Sequence, residues 1–201
     1  MRHVLLALAL VAAPAVAQMP KEAPGKADPA RVKAGTYTIE PSHTQVRFGV
    51  MHMGFNFYYG TFGQSSGRLV LDPAKPNAAS LTVEVPIAGV QTTSDKLTEE
   101  LKSAMFFDAA KYPTMRFVSD SVVVTGTRAR ITGQLTMHGV TKPLTLDATF
   151  VGAGNFMNKD AVGFSATGTL NRSDFGVTYG VPLVSDAVSI EITAAFEKAP
   201  G

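Results

Sequence analysis

From Thr36 onward the chain alternates: apolar residues recur at every second position in one segment after another, the period of a strand with one buried face. In 44–52, Val46, Phe48, Val50 and His52 share one face, while Gln45 and Arg47 take the other. In 80–87, Leu81, Val83, Val85 and Ile87 oppose Thr82 and Glu84. Residues 114–117 and 121–124 read as strand pieces, and 130–137 sets Ile131, Leu135 and Met137 against Arg130, Thr132, Gln134 and Thr136. The rhythm continues through 144–150, through 162–170 with Phe164 and Leu170, and through 188–196. Gly and Pro punctuate it at Asp72-Pro73, Gly126, Gly139, the 152–154 stretch and Pro182.

One segment breaks the strand period. Leu97 and Leu101 stand four apart, Ser94 is placed to cap, and Asp95 falls in the first turn, which predicts a short amphipathic helix over 94–103. Met105, Phe106 and Phe107 follow as an apolar knot before Tyr112-Pro113. Lying between two strands, this insert can cover one end of the sheet.

Strands apolar on one side must bury those sides together, as a closed barrel or as two packed sheets. Periodicity leaves both open. A barrel of about eight strands can fill its interior with side chains or enclose one ligand, and that choice decides function.

The first residues bear on the compartment. Met1-Arg2-His3 is a short positive start, Val4 to Ala13 an apolar run, and Ala15-Val16-Ala17 a small-x-small cleavage site. The run is shorter than the roughly 20 apolar residues of a membrane span. The expectation is a signal peptide over 1–17, export to the periplasm, a flexible Pro/Ala/Lys/Gly-rich leader over 18–35, and one barrel domain over 36–198. With no Cys, the chain has no thiolate, disulfide or lipid-modified cysteine available to it. The formal net charge is +2, with both signs interspersed, which gives a nucleic-acid surface no support.

Several motifs together are similar to the YceI-like family of polyisoprenoid-binding periplasmic proteins. The opening Tyr37-Thr-Ile-Glu-Pro-Ser-His43 with Val46-x-Phe48-x-Val50-x-His52-Met-Gly54 resembles that family's start. Leu97 to Pro113 resembles its helix and Phe-Phe-Asp turn. Gly133-x-Leu135-Thr-Met-His138-Gly-Val-Thr-Lys-Pro143 and Asn171-Arg172-Ser-Asp174-Phe-Gly176 resemble its later motifs. The four stand in the family's order across nearly the whole domain. Tyr37 replaces a common Trp, and Glu99-Glu100 stands where an acidic residue followed by His is frequent. The resemblance implies an all-β fold, a single antiparallel lipocalin-like barrel with a short helical insert. It also implies an interior that holds an isoprenoid chain such as a quinone or polyprenyl lipid, with no defined reaction.

Candidate ligand-binding residues follow from the inward faces. Phe48, Val50, Leu135, Met137, Phe164 and Leu170 would line an apolar pocket, or would form a packed core. Phe55, Phe57 and Tyr59, in the densest aromatic stretch, share one parity and would line a barrel mouth, or belong to an ordinary hairpin. His52 is a candidate head-group anchor or a backbone-satisfied core histidine. Arg172 and Asp174 would pair or brace a loop near the barrel end, or Arg172 would meet an anionic head group. His43, His52 and His138 have no metal-ligand spacing, and no nucleophile or nucleotide motif occurs, so no metal, cofactor or catalytic residue is assigned.

The leading reading is a lipid-binding protein, with transient membrane contact and a homodimer as further partners it allows. A second is an interaction module for a membrane redox protein, with a solidly packed barrel. A third is an enzyme acting on a small apolar substrate, in which His52 needs a carboxylate or hydroxyl partner.

Overall fold

The structure, a computed structural model, describes residues 21–200. The expected signal peptide and its cleavage point lie outside the described residues. The sheet contains β1 (Gly35–Ile39), β4 (Ser66–Leu71), β5 (Ser80–Pro86), β7 (Thr114–Thr125), β8 (Arg128–Met137), β9 (Val140–Phe156), β10 (Lys159–Asn171) and β11 (Ala187–Lys198). These eight strands pair antiparallel in that order, and β11 returns to β1 through Ile39↔Phe196. Of the two arrangements the alternation allowed, the chain adopts the closed barrel. Closure leaves the ring without a free edge and turns every apolar face to one interior.

Three positions of the ring are made of broken strands. β2 (Gln45–His52) prolongs the line of β1 after a 3₁₀ turn and pairs with β11; β3 (Asn56–Phe62) pairs with β2; β6 (Val90–Gln91) pairs with β3. The two pieces expected at 114–117 and 121–124 are a single strand, β7. A register shift between Ser119 and Ser121 inserts one residue, so the buried parity passes from Met115 and Phe117 to Val122. That parity change made one strand look like two.

The insert forms helix α1 (Asp95–Lys102), and the Ser94 hydroxyl accepts the Leu97 N–H at 3.3 Å, as its sequence predicts. Leu97 and Leu101 turn towards the barrel core. The Phe106 ring meets Tyr179 edge-on at 5.2 Å, and Phe107 meets Phe62 at 5.7 Å. The insert thereby packs over one end of the barrel.

Two expectations about loops are corrected together. The 152–154 glycines do not form a turn; they lie inside β9. The turn lies at Met157-Asn158, where both φ angles are positive and Phe156 pairs with Lys159. The glycines instead admit the segment expected to be a flexible leader. A Cβ on Gly154 would stand 2.2 Å from the Pro24 carbonyl oxygen, and one on Gly152 would stand 3.1 Å from that of Lys26. Lys26 and Ala153 exchange backbone hydrogen bonds of 3.0 and 2.9 Å, and Lys33 pairs with Asp160 at 2.9 Å. Over its described part the leader is therefore docked on the barrel wall. Tyr37 is buried beneath it and donates to the Lys33 carbonyl at 2.6 Å; burial pushes its phenol pKa up.

Candidate ligand-binding cavity

The barrel encloses an apolar cavity of about 560 Å³, within the range of roughly 300–1,000 Å³ typical of small-molecule sites. A solidly packed interior, which the interaction-module reading requires, is not what this barrel contains. Phe48, Val50, His52, Leu135, Met137, Phe164, Leu170 and Arg172 all border the space. They arrive there from β2, β8, β10 and the turn that follows β10, because alternate residues of a closed barrel face inward.

Phe55, Phe57 and Tyr59 do not border it. Residues directly opposite on paired strands share a face. Val50 lies opposite Tyr58 and Val46 opposite Phe62, whereas Met51 lies opposite Phe57 and Gly49 opposite Tyr59. Since Val46 and Val50 face the cavity, Tyr58 and Phe62 do too, and the expected trio belongs outside. Phe55 is 85% exposed; Phe57 and Tyr59 stack at 6.2 Å, and the Arg47 guanidinium lies 4.5 Å from the Tyr59 ring centre. Aromatic density alone did not reveal the parity; the register with β2 does.

The mouth combines apolar and polar groups. His52, Tyr58, Glu100 of α1, and Tyr179 and Val184 of the 176–186 loop border the cavity there. Tyr58 and Thr93 share a hydroxyl contact of 3.1 Å, and hydrogen bonds to Thr92 and Thr93 lower the phenol pKa. Among the described residues, the His52 ring has no hydrogen-bonded carboxylate or hydroxyl of the kind an acid–base role requires. Nor do three His, Asp or Glu side chains converge there on a common metal position.

Arg172 is buried, and its partner is not Asp174. Its guanidinium donates to the carbonyls of Ser185 at 2.9 Å, Val177 at 3.2 Å, Tyr179 at 2.7 Å and Val184 at 2.9 Å. Four of its five N–H donors are thus committed to the backbone of the mouth loop. Burial lowers its pKa, while the nearby Asp186 charge opposes that shift. Asp186 in turn accepts from the Ser173 hydroxyl at 2.6 Å and its N–H at 2.8 Å. The loop-bracing half of the expectation describes this geometry; the Asp174 pairing does not, because residue 174 lies in a 3₁₀ turn where strand parity no longer applies.

The sequence reading left several wall residues out of the site. Val83 of β5 and Ile190 of β11 carried the alternation signal and could have been named. Glu100, Tyr179, Val184 and Ser65 border the cavity from the helix and loops, which carry no period-two signal.

A smaller cavity of about 200 Å³ lies at the other end, between leader residues Pro29 and Val32 and the barrel. Leu71, Ala129 and Phe164 border both spaces.

Comparison with known proteins agrees with this architecture. Residues 37–196 match the family model described as the YceI-like domain. A UPF0312 protein of Pseudomonas putida strain F1 is 40% identical over 164 residues, covering 80% of this chain and 85% of the relative. A UPF0312 protein of Pseudomonas syringae pv. tomato is 40% identical over 168 residues, with the same coverage. Among solved structures, the Campylobacter jejuni YCEI protein has a TM-score of 0.62 at 31% identity, over 70% of this chain and 85% of that one. Burkholderia cenocepacia BcnA has a TM-score of 0.71 at 23% identity, over 78% and 98%. A polyisoprenoid binding domain from Saccharophagus degradans, implicated in plant cell wall breakdown, has a TM-score of 0.64 at 11% identity, over 83% and 100%. At these last two identities the likeness is one of fold. By family model and by sequence identity, the chain belongs to the YceI-like family.

Proposed function

We propose that the protein is a carrier that sequesters an isoprenoid lipid, of quinone or polyprenyl type, in its barrel after export to the periplasm. The observation that carries this reading is the enclosed cavity with a nearly all-apolar wall, which His52, Tyr58 and Glu100 border at the mouth. At about 0.8 kcal/mol per buried methylene, roughly twenty carbons gain about 16 kcal/mol. That offsets an association cost of about 4–15 kcal/mol. Short alcohols do not reach this balance, so the cavity favours long chains.

The family membership and the polyisoprenoid-binding description of a fold neighbour support the same ligand class. Binding rather than catalysis accounts for a site whose wall is nearly all hydrocarbon. The rim supports loading from a membrane. Met53, Phe55 and Leu183 are exposed there, and the Met53 N–H donates to the Leu183 carbonyl at 2.7 Å, which joins the two loops. Such a patch can enter the headgroup layer while the cavity receives a chain.

The test is to purify the protein from the periplasmic fraction of its own cell envelope and identify the solvent-extracted lipid by mass. A stoichiometric isoprenoid supports the carrier. Repeated recovery of lipid-free protein, or of the protein only in the cytoplasm, contradicts it.

A further inference from the structure

The smaller cavity, at the end away from the mouth, has the wall of a hydrocarbon site. Apart from Thr127 and Arg128 of the β7–β8 turn, it is bordered by Pro, Gly, Ala and larger apolar residues. Apolar cavities of this kind exclude water and accept hydrocarbon. At about 200 Å³ it falls below the roughly 300–1,000 Å³ of a self-standing small-molecule site. Nor does it stand alone: Leu71, Pro76, Val124, Ala129, Ala148 and Phe164 border the main cavity as well. The Phe164 ring meets Phe150 and Phe196 edge-on, at 5.9 and 6.1 Å. Of these two neighbours, Phe196 borders only the larger space and Phe150 only the smaller one. The three rings thus lead from one cavity into the other.

The leader closes the far side of this space. Pro29–Arg31 form a 3₁₀ turn, and the Ala30 N–H donates to the Asp28 carboxylate at 3.0 Å. The turn is pinned on both flanks. Before it, Lys26 bridges to Ala153; after it, the Lys33 ammonium pairs with Asp160 and the Lys33 carbonyl accepts from the Tyr37 hydroxyl. Between these anchors Pro29 and Val32 border the smaller cavity, and neither borders the main one. Val32 also packs against the core that Ile39, Leu69 and Phe196 build at this end. Pro fixes its own backbone angle and Val is stiff at χ1, so the pinned turn presents a rigid apolar stop.

We infer that the smaller cavity seats the distal end of the bound isoprenoid, and that Val32 of the leader is the stop that sets its chain length. This rests on the carrier reading and narrows it, from isoprenoids in general to those long enough to pass Phe164. The wall residues shared by the two spaces make one hydrocarbon path, so each methylene that enters the smaller space adds burial. A chain that ends before Phe164 gains nothing from the leader. A chain that overruns Val32 must either fold back or displace the strap. A bulkier residue at 32 therefore shortens the preferred chain, and a smaller one at 150 lengthens it.

The experiment offers delipidated protein an equimolar mixture of farnesol, geranylgeraniol, geranylfarnesol and solanesol in nonionic detergent. Native mass spectrometry reads which lengths are bound by wild type, Val32→Trp and Phe150→Ala. The inference predicts that wild type retains a chain longer than farnesol in excess. In Val32→Trp the ratio of that chain to farnesol falls about tenfold, the worth of roughly two buried methylenes. In Phe150→Ala the distribution moves the other way, towards longer chains. General loosening of the barrel does not produce opposite shifts from two residues that border the same space. The same length distribution in all three proteins overturns the inference and leaves the carrier standing. So does retention of farnesol alone by wild type, or a shift of both variants in one direction. Failure of every prenol to bind wild type overturns the carrier itself.

Discussion

Gly154 of β9 lies directly under Pro24 of the leader, so close that a methyl group on Gly154 would meet the Pro24 carbonyl oxygen at 2.2 Å. That contact is backbone against backbone, and no side-chain rotation relieves it. Gly154→Ala is therefore expected to lift the segment around Pro24–Lys26 off the wall and destabilise the fold by about 1–3 kcal/mol, the usual cost of overpacking. Hydrogen exchange at the Lys26 and Ala153 amides, which bond each other's carbonyls, should speed up in the variant. Unchanged protection at both amides would show that the leader gains nothing from the glycine.

Arg172 is expected to be the most sensitive position of the mouth. Replacing it by Ala leaves the carbonyls of Val177, Tyr179, Val184 and Ser185 without their donor. A loss of about 3–5 kcal/mol is anticipated. Lys should not restore it, since one ammonium cannot reproduce a planar fork reaching four acceptors. Chemical denaturation of R172A and R172K measures both; full stability in R172K would remove the fork from the account.

Asp186 makes the same loop acid-sensitive. Hydrogen bonds from the Ser173 hydroxyl and N–H, with the Arg172 charge adding to them, hold its carboxyl below the usual carboxylate pKa. A lowered folded pKa means that the ionised form stabilises the fold at pH above the unfolded value of about 3.9. That contribution disappears as pH falls through the lower folded value. Asp186→Asn should be less stable than wild type at neutral pH, with the gap narrowing under acid. Parallel melting curves across the whole range would refute the assignment.

The outer aromatics separate delivery from storage. Phe55→Ser with Leu183→Ser should slow the transfer of a fluorescent isoprenoid from anionic vesicles several-fold, because each exposed apolar side chain contributes membrane affinity. Affinity for the same probe added from solution should stay within about twofold. Phe57→Ala, outside the cavity on β3, should change that affinity no more. An equal loss in both assays would place these side chains in the ligand site after all.

Much of this fold could be read from alternation alone. The inward faces of β2, β8 and β10 were named residue by residue, since a period of two assigns each position to a side. Ser94 and the Leu97/Leu101 pair marked α1. Parity, however, fixes faces only relative to a partner strand. In the aromatic run 55–59 both faces carry rings, and only the pairing of Val50 with Tyr58 decides which one is inside. Glycine is ambiguous for a different reason: at 139 it accommodates a positive φ, whereas at 154 it makes room for Pro24. For Arg172 strand parity points to Asp174, whereas its real partners, four carbonyls of the mouth loop, are brought to it only by the fold of that loop.

The central claim is that the barrel is hollow so that a chain can lie inside it. Native mass spectrometry of delipidated protein titrated with geranylgeraniol, for wild type and for a Val83→Phe/Ala166→Phe variant, tests it most directly. Both substituted positions border the cavity, from β5 and β10. The account predicts a single added lipid mass on wild type and none on the variant, with both proteins folded and melting cooperatively. Equal lipid loading of a folded variant, or no loading of wild type at saturating lipid, would contradict it.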